Sequence, residues 1–147
     1  NGRWFEGEKR RCVMTPMTGC HTREDCVIFF PEDRVLFCGD LFGWGLIPHV
    51  GRLTTLAWET VDSVYEKLTA YDADTVVPGH GPLCSTDELV RCREYFNMLR
   101  RETAVKDRTA DTPEELAQVL PVPKDMRNWW RFAEWKHAHN LRRLLQV

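Results

Sequence analysis

Apolar residues come first in short runs and only later at helical spacing. Trp4-Phe5-Glu6-Gly7-Glu8-Lys9 reads as a strand running into a glycine turn, and residues 11–17 continue as a second strand with Pro16 near its end. Residues 26–30 (Cys-Val-Ile-Phe-Phe) form a β-branched and aromatic run, so a buried strand is predicted there. Pro31-Glu32-Asp33-Arg34 suits a hairpin turn, and Val35-Leu36-Phe37-Cys38 pairs back antiparallel. Beyond a glycine-punctuated loop, Ala57, Val61, Val64, Tyr65 and Leu68 share one helical face, predicting a helix from Thr54 or Thr55. Residues 74–77 return to a short strand. Ser85-Thr86-Asp87-Glu88 is a capping box opening a second helix, with Leu89, Cys92, Phe96 and Leu99 as its apolar stripe. Thr112-Pro113-Glu114-Glu115 opens a third, short helix that stops before Pro121. A last helix is expected from about Asp125 to Leu145, with Met126, Trp129, Trp130, Ala133, Leu141, Leu144 and Leu145 on its apolar face. Strands, then strand-helix-strand-helix, then a helical tail imply a mixed sheet with helices packed on one face, an α/β (α+β) arrangement.

Composition narrows the class. The 147 residues are enough for one domain with a real core, and 43% apolar and 29% charged residues are ordinary for a globular chain. A net charge of −2 points to no nucleic acid and no anionic membrane as partner. No run approaches transmembrane length and no signal peptide is visible, so a cytoplasmic location is expected. The chain begins at Asn1, which suggests processing or a piece of something longer. Six cysteines occur without a C-x-x-C pair, and they read as reduced, mostly buried packing residues. Cys20 stands out because it adjoins His21.

The chemistry gathers around Phe37-Cys38-Gly39-Asp40-Leu41-Phe42, where a buried strand delivers a carboxylate at its C-terminal tip. His21 lies in the turn Gly19-Cys20-His21-Thr22, and His80 in Pro78-Gly79-His80-Gly81-Pro82. Imidazole and carboxylate are common ligands for zinc and non-haem iron. His21, Asp40 and His80 are expected to meet at one sheet edge as metal donors, with capping or core packing the competing assignment for each histidine. Trp44, His49 and Arg52 follow the Asp40 strand and are candidates to touch substrate, with loop packing and solvated charge as the alternatives. His137-Ala138-His139 lies on a predicted helix, where alternate residues diverge by about 200°, so it is a poor chelate and a helix-surface feature. Trp129, Trp130 and Trp135 are read as core packing.

In order and spacing, these three motifs with the intervening hairpin and helix resemble the later motifs of the metallo-β-lactamase fold hydrolases, over about residues 10–100. The resemblance implies that His21 binds a first metal, Asp40 bridges two metals with a catalytic role, and His80 binds the second. Thr22 and Asp25 are then candidates to orient the ligands from behind. It implies hydrolysis of an ester, thioester, lactone or amide by metal-bound hydroxide, with one or two zinc ions, iron or manganese being possible. The helical tail is more similar to the thioesterase and glyoxalase-like branches than to the antibiotic-degrading enzymes.

One signature of that family, His-x-His-x-Asp-His, does not occur in the sequence. The chain therefore resembles the C-terminal half of the αββα sandwich over residues 1–110, with residues 111–147 a helical extension packed on the same domain. Metal is expected to be weakly bound or absent in the isolated chain. The inner sheet face, with Val27, Phe29, Val35 and Phe37, should be uncovered, so a homo-oligomer or a complementary N-terminal half is expected as partner, besides a small-molecule substrate. An inert oligomerising or partner-binding module and an iron-dependent redox protein are the alternative functions.

Overall fold

In a computed structural model, the structure describes residues 2–48, 55–104 and 112–145. Five strands lie in sequence order across one sheet: β1 (Arg3–Glu6), β2 (Arg11–Pro16), β3 (Cys26–Phe30), β4 (Val35–Gly39) and β5 (Thr75–Pro78). The first four form an antiparallel meander, and β5 joins β4 in parallel. A parallel partner requires a crossover, and α1 (Thr55–Thr69) supplies it. α2 (Thr86–Thr103) follows, opened by the Ser85–Glu88 capping box, and α3 (Pro113–Val119) by the equivalent Thr112–Glu115 box.

The turn between β3 and β4 decides which side of the sheet is covered. Residues 31–34 form the loop, Arg34 closes it in the left-handed region (φ 54°), and Phe30 pairs with Val35. Arg34 is tied to Asp74 through Nε (2.8 Å) and Nη2 (2.9 Å) and also to Asp72, so the hairpin end is clamped to the start of β5. With this register Phe29 faces the same way as Leu36, and Ile28 the same way as Phe37. Val27, Leu36, Cys38 and Val76 are fully buried beneath the helices, together with Val61, Tyr65 and Leu68 of α1 and Leu89, Cys92, Tyr95 and Leu99 of α2.

The opposite face carries Phe5, Cys12, Met14, Ile28, Phe30, Val35, Phe37 and Val77 by the same register. Phe5 and Phe37 are exposed there, and the rings of Phe30 and Phe37 meet edge to face. This corrects the sequence reading. Val35 and Phe37 are on the open face as expected, but Val27 and Phe29 lie on the covered one, because a four-residue loop pairs position 30 with 35 and so sets odd-numbered residues of β3 against even-numbered residues of β4.

The tail also differs from the single helix expected over 125–145. A 3₁₀ turn (Lys124–Met126) is followed by Arg131 in the left-handed region (φ 54°), a π-turn (Phe132–Lys136) and α4 (His137–Leu145). The wider π-turn precedes a helix whose buried residues include Asn140, Leu141 and Leu144, and it leaves Lys136 and His137 buried with them. Ala133 is exposed and Trp130 is 39% exposed, so the expected apolar stripe is out of phase with the real one.

Candidate metal centre

β4 and β5 run parallel, so both C-terminal ends emerge at the same sheet edge, with Gly39 paired to Pro78. Asp40 follows one tip and His80 the other. Adjacent strands are about 4.8 Å apart, close enough for side chains just past the tips to touch. His80 Nε2 lies 3.2 Å from Asp40 Oδ1, with the His80 side chain 68% exposed and that of Asp40 48%. A polar contact this open to water contributes only about 0–1 kcal/mol to folding, so stability does not account for the arrangement.

The backbone beneath the pair is held from several sides. Gly39 takes φ +53°, which turns the chain out of β4. Its carbonyl accepts from the Gly79 N–H at 2.8 Å and from the Phe42 N–H at 3.3 Å. A Cβ on Gly79 would strike the Asp40 carboxylate and come within 2.7 Å of the Gly39 carbonyl, so the two tips approach as closely as only glycine permits. The Leu41 carbonyl accepts the fully buried Tyr65 hydroxyl at 2.9 Å, and burial holds that hydroxyl well above its usual pKa, as an un-ionised donor.

His21 comes from the loop joining β2 to β3. Since β3 is antiparallel to β4, that loop lies at the same end of the sheet, but roughly one and a half strand spacings, about 7 Å, away from β4. Asp25 organises it. The Asp25 carboxylate accepts the His21 N–H (3.0 Å) and the Thr22 N–H on one oxygen and the Thr22 hydroxyl (2.9 Å) on the other. His21 Nδ1 stands 3.6 Å from Asp25 Oδ1, beyond hydrogen-bond reach, and is a buried atom with no hydrogen-bond partner among the described residues. An approach of roughly half an ångström closes this contact into the carboxylate–imidazole pairing that usually backs a metal-bound histidine.

Only Asp40 and His80 of the three expected donors are thus in contact. Among the described residues no group of three or more His, Cys, Asp or Glu side chains is placed to share a metal ion. The donors are right in kind and short in number, since catalytic zinc sites use three protein ligands. Among the described residues no cysteine joins such a group. Burial pushes Cys20, Cys38 and Cys92 up to about 12, so they are protonated packing groups.

Trp44 is not a substrate-facing loop tip. It is nearly buried within this chain, its Nε1–H donates to the Pro82 carbonyl at 2.8 Å, and its ring packs on Phe42 and Trp129. His49 and Arg52 lie outside the described residues. His137 is not a surface residue either. Its Nε2 donates to the Leu120 carbonyl (2.8 Å), so its Nδ1 accepts from the buried Tyr95 hydroxyl (2.9 Å) and neither nitrogen is left for a metal. The buried polar residues Lys136 and Asn140 behind the site were missed by sequence reasoning; a lysine and an asparagine at i and i+4 between apolar residues were the available signal.

The sequence profile of the Metallo-beta-lactamase superfamily matches residues 1–80, more than half of the 147-residue chain. The chain belongs to the metallo-beta-lactamase superfamily. A metallo-beta-lactamase from Pontibacter korlensis is similar in structure, with TM-score 0.55, 20% identity, and coverage of 66% of this chain and 46% of that one. The stereoselective inverting sec-alkylsulfatase Pisa1 from a Pseudomonas species is similar over 99% of this chain, including the helical tail, with TM-score 0.68, 16% identity and 25% of its own length covered. At these identities the likeness is one of fold. This superfamily member spans less than half the length of either structure, and its mixed sheet with helices matches a partial metallo-beta-lactamase fold. Among the described residues no helix is long and apolar enough to cross a membrane.

Proposed function

We propose that this chain supplies Asp40, His80 and His21 to the site of a metal-dependent hydrolase whose remaining donors lie outside the described residues. The observation that carries this reading is the Asp40–His80 contact at two parallel strand tips, exposed to solvent and braced by backbone hydrogen bonds between the two turns. Zinc is the ion of choice for this donor set, with iron or manganese as alternatives. Held there, the ion would supply Lewis-acid chemistry, activating water and polarising a carbonyl, phosphoryl or sulfuryl oxygen. The chain's own part is positional. Asp40 presents a carboxylate with room for two contacts, His80 presents Nε2 beside it, and the Thr22–Asp25 clamp fixes the His21 backbone.

Missing donors and an uncovered apolar sheet face lie on the same molecule, which supports a second polypeptide surface as partner: another copy or a complementary N-terminal half. The substrate classes to test are esters, thioesters, lactones and amides, with sulfate esters added because of the alkylsulfatase likeness. The deciding experiment is a hydrolase panel on zinc- and manganese-supplemented protein, run on wild type, Asp40→Asn and His80→Ala. Turnover abolished by both substitutions supports the reading. Turnover unaffected by either removes it, and no turnover together with no metal uptake favours the inert module.

A further inference from the structure

Three polar side chains of the tail, Lys136, Asn140 and Arg143, fall at i, i+4 and i+7 and all reach the loop that follows Asp40. Lys136 Nζ donates to the carbonyls of Gly43 (3.3 Å) and Trp44 (3.2 Å). Asn140 Nδ2 donates to the Gly45 carbonyl (2.6 Å), and its Oδ1 accepts the Ile47 N–H (3.3 Å). Arg143 Nη1 donates to the Ile47 carbonyl (3.0 Å). A loop's backbone groups ordinarily turn to water or to one another. Here four carbonyls and one N–H are satisfied by side chains more than ninety residues further along the chain.

Lys136 is the most costly member of the stripe. It is fully buried, and among the described residues no carboxylate lies within ion-pair distance of it. Its ammonium is held by the two carbonyls and by the Trp130 ring face, 4.2 Å from the ring centroid. Burying a cation without a counter-charge is unfavourable. A methionine would fill the same space without that cost but would leave both carbonyls unpaired.

The loop in turn carries His80. Trp44 sits in the left-handed region (φ 48°), an uncommon conformation for a large side chain, and this aims its indole beneath the turn after β5. Its Nε1–H reaches the Pro82 carbonyl. Gly81, at φ +108°, lies directly on the rings of Trp44 and Trp130, where a Cβ would come within 2.6 and 2.8 Å of them. The turn holding His80 therefore rests on Trp44 from below and is pinned at Gly79 to the Asp40 turn.

We infer that α4 is a positioning element for the metal donors: its Lys136–Asn140–Arg143 stripe fixes residues 43–47, and Trp44 passes that placement on to His80. The inference rests on the reading of Asp40 and His80 as metal donors. A tail docked for stability alone would also bury Leu141 and Leu144, but it would not require a polar stripe matched to the loop's carbonyls.

Trp44→Phe keeps the ring and deletes the indole donor, and Lys136→Met deletes the ammonium. In the full chain, native-state hydrogen exchange at Gly79 is compared with that at Leu36 and Val76, and zinc affinity is measured by chelator competition. The expected result is exchange at Gly79 about tenfold faster or more in Trp44→Phe, with Leu36 and Val76 unchanged, and zinc affinity about tenfold weaker. Lys136→Met should act in the same direction where it folds. Wild-type zinc affinity retained in Trp44→Phe, or exchange that accelerates uniformly, overturns the inference while leaving the metal-donor reading intact. Zinc affinity unchanged by both Asp40→Asn and His80→Ala overturns the donor reading and this inference together.

Discussion

Leu36 and Phe37 are neighbours in β4 and have opposite surroundings. Leu36 is completely buried against the helices, while Phe37 is 41% exposed and meets the Phe30 ring edge to face. The contrast extends across the molecule. Behind Leu36 lies a finished interior, in which even the polar groups are matched: His137 to Tyr95 and Leu120, Asn140 to Gly45, Tyr65 to Leu41. In front lies an apolar sheet face, and at the sheet's end stand an exposed Asp40–His80 pair and a buried His21 nitrogen with no hydrogen-bond partner among the described residues. The finished side braces Asp40 and His80, and the proposed site draws its further atoms from beyond it.

The largest effect should separate the two faces. Leu36→Ala is expected to cost about 3 kcal/mol in urea unfolding, the usual range for an emptied core site. Phe37→Ser, one residue on, should cost less than about 1 kcal/mol. Similar costs would mean that the front is already covered within this chain. Sedimentation sharpens the same point. The wild type should associate with rising concentration, and a Phe30→Ser, Phe37→Ser double variant should sediment as a monomer; a monomeric wild type would contradict the open-face account.

On the unfinished side, Asp25→Asn should weaken zinc binding by about tenfold, typical for loss of a group behind a metal-bound histidine. Unchanged affinity in chelator competition would show that His21 is not part of the site.

The smallest effect concerns pH and belongs to the finished side. Burial pushes the His137 pKa below its ordinary value, so the folded state keeps the ring neutral. The unfolded chain then binds the extra proton first, and stability is lost as pH falls below about 6.5. His139 acts in the same direction, through burial and the nearby Arg143 and Arg142. His137→Gln keeps a donor for the Leu120 carbonyl and an acceptor for Tyr95, and thermal melts should show a shallower fall between pH 7.5 and 5.5. An unchanged slope would remove His137 from the explanation.

Much of the finished side was legible in the sequence because local chemistry controls it. The Ser85 and Thr112 capping boxes, the β3–β4 hairpin and the α1 stripe each depend on residues a few positions apart. Two features were not legible for physical reasons. The facing of Val27 and Phe29 follows from how the 31–34 loop sets the register, which the period-2 pattern leaves open. The tail breaks at Arg131, a left-handed residue that is not glycine, and the π-turn then shifts the buried stripe to Lys136, His137 and Asn140, none of which is apolar. Asp40 and His80, the proposed donors, stand out in their motifs, but their contact depends on the parallel pairing of β4 with β5. The support that Trp44 and Lys136 give them depends on contacts across more than thirty-five and ninety residues respectively.

The most direct measurement is a zinc titration by chelator competition of the wild type beside Asp40→Asn, His80→Ala and His21→Ala. The donor assignment predicts that the wild type takes up zinc only weakly, as a site short of donors should, that Asp40→Asn and His80→Ala each weaken binding at least about tenfold, and that His21→Ala has the smaller effect. Zinc affinity indifferent to both Asp40→Asn and His80→Ala would contradict it.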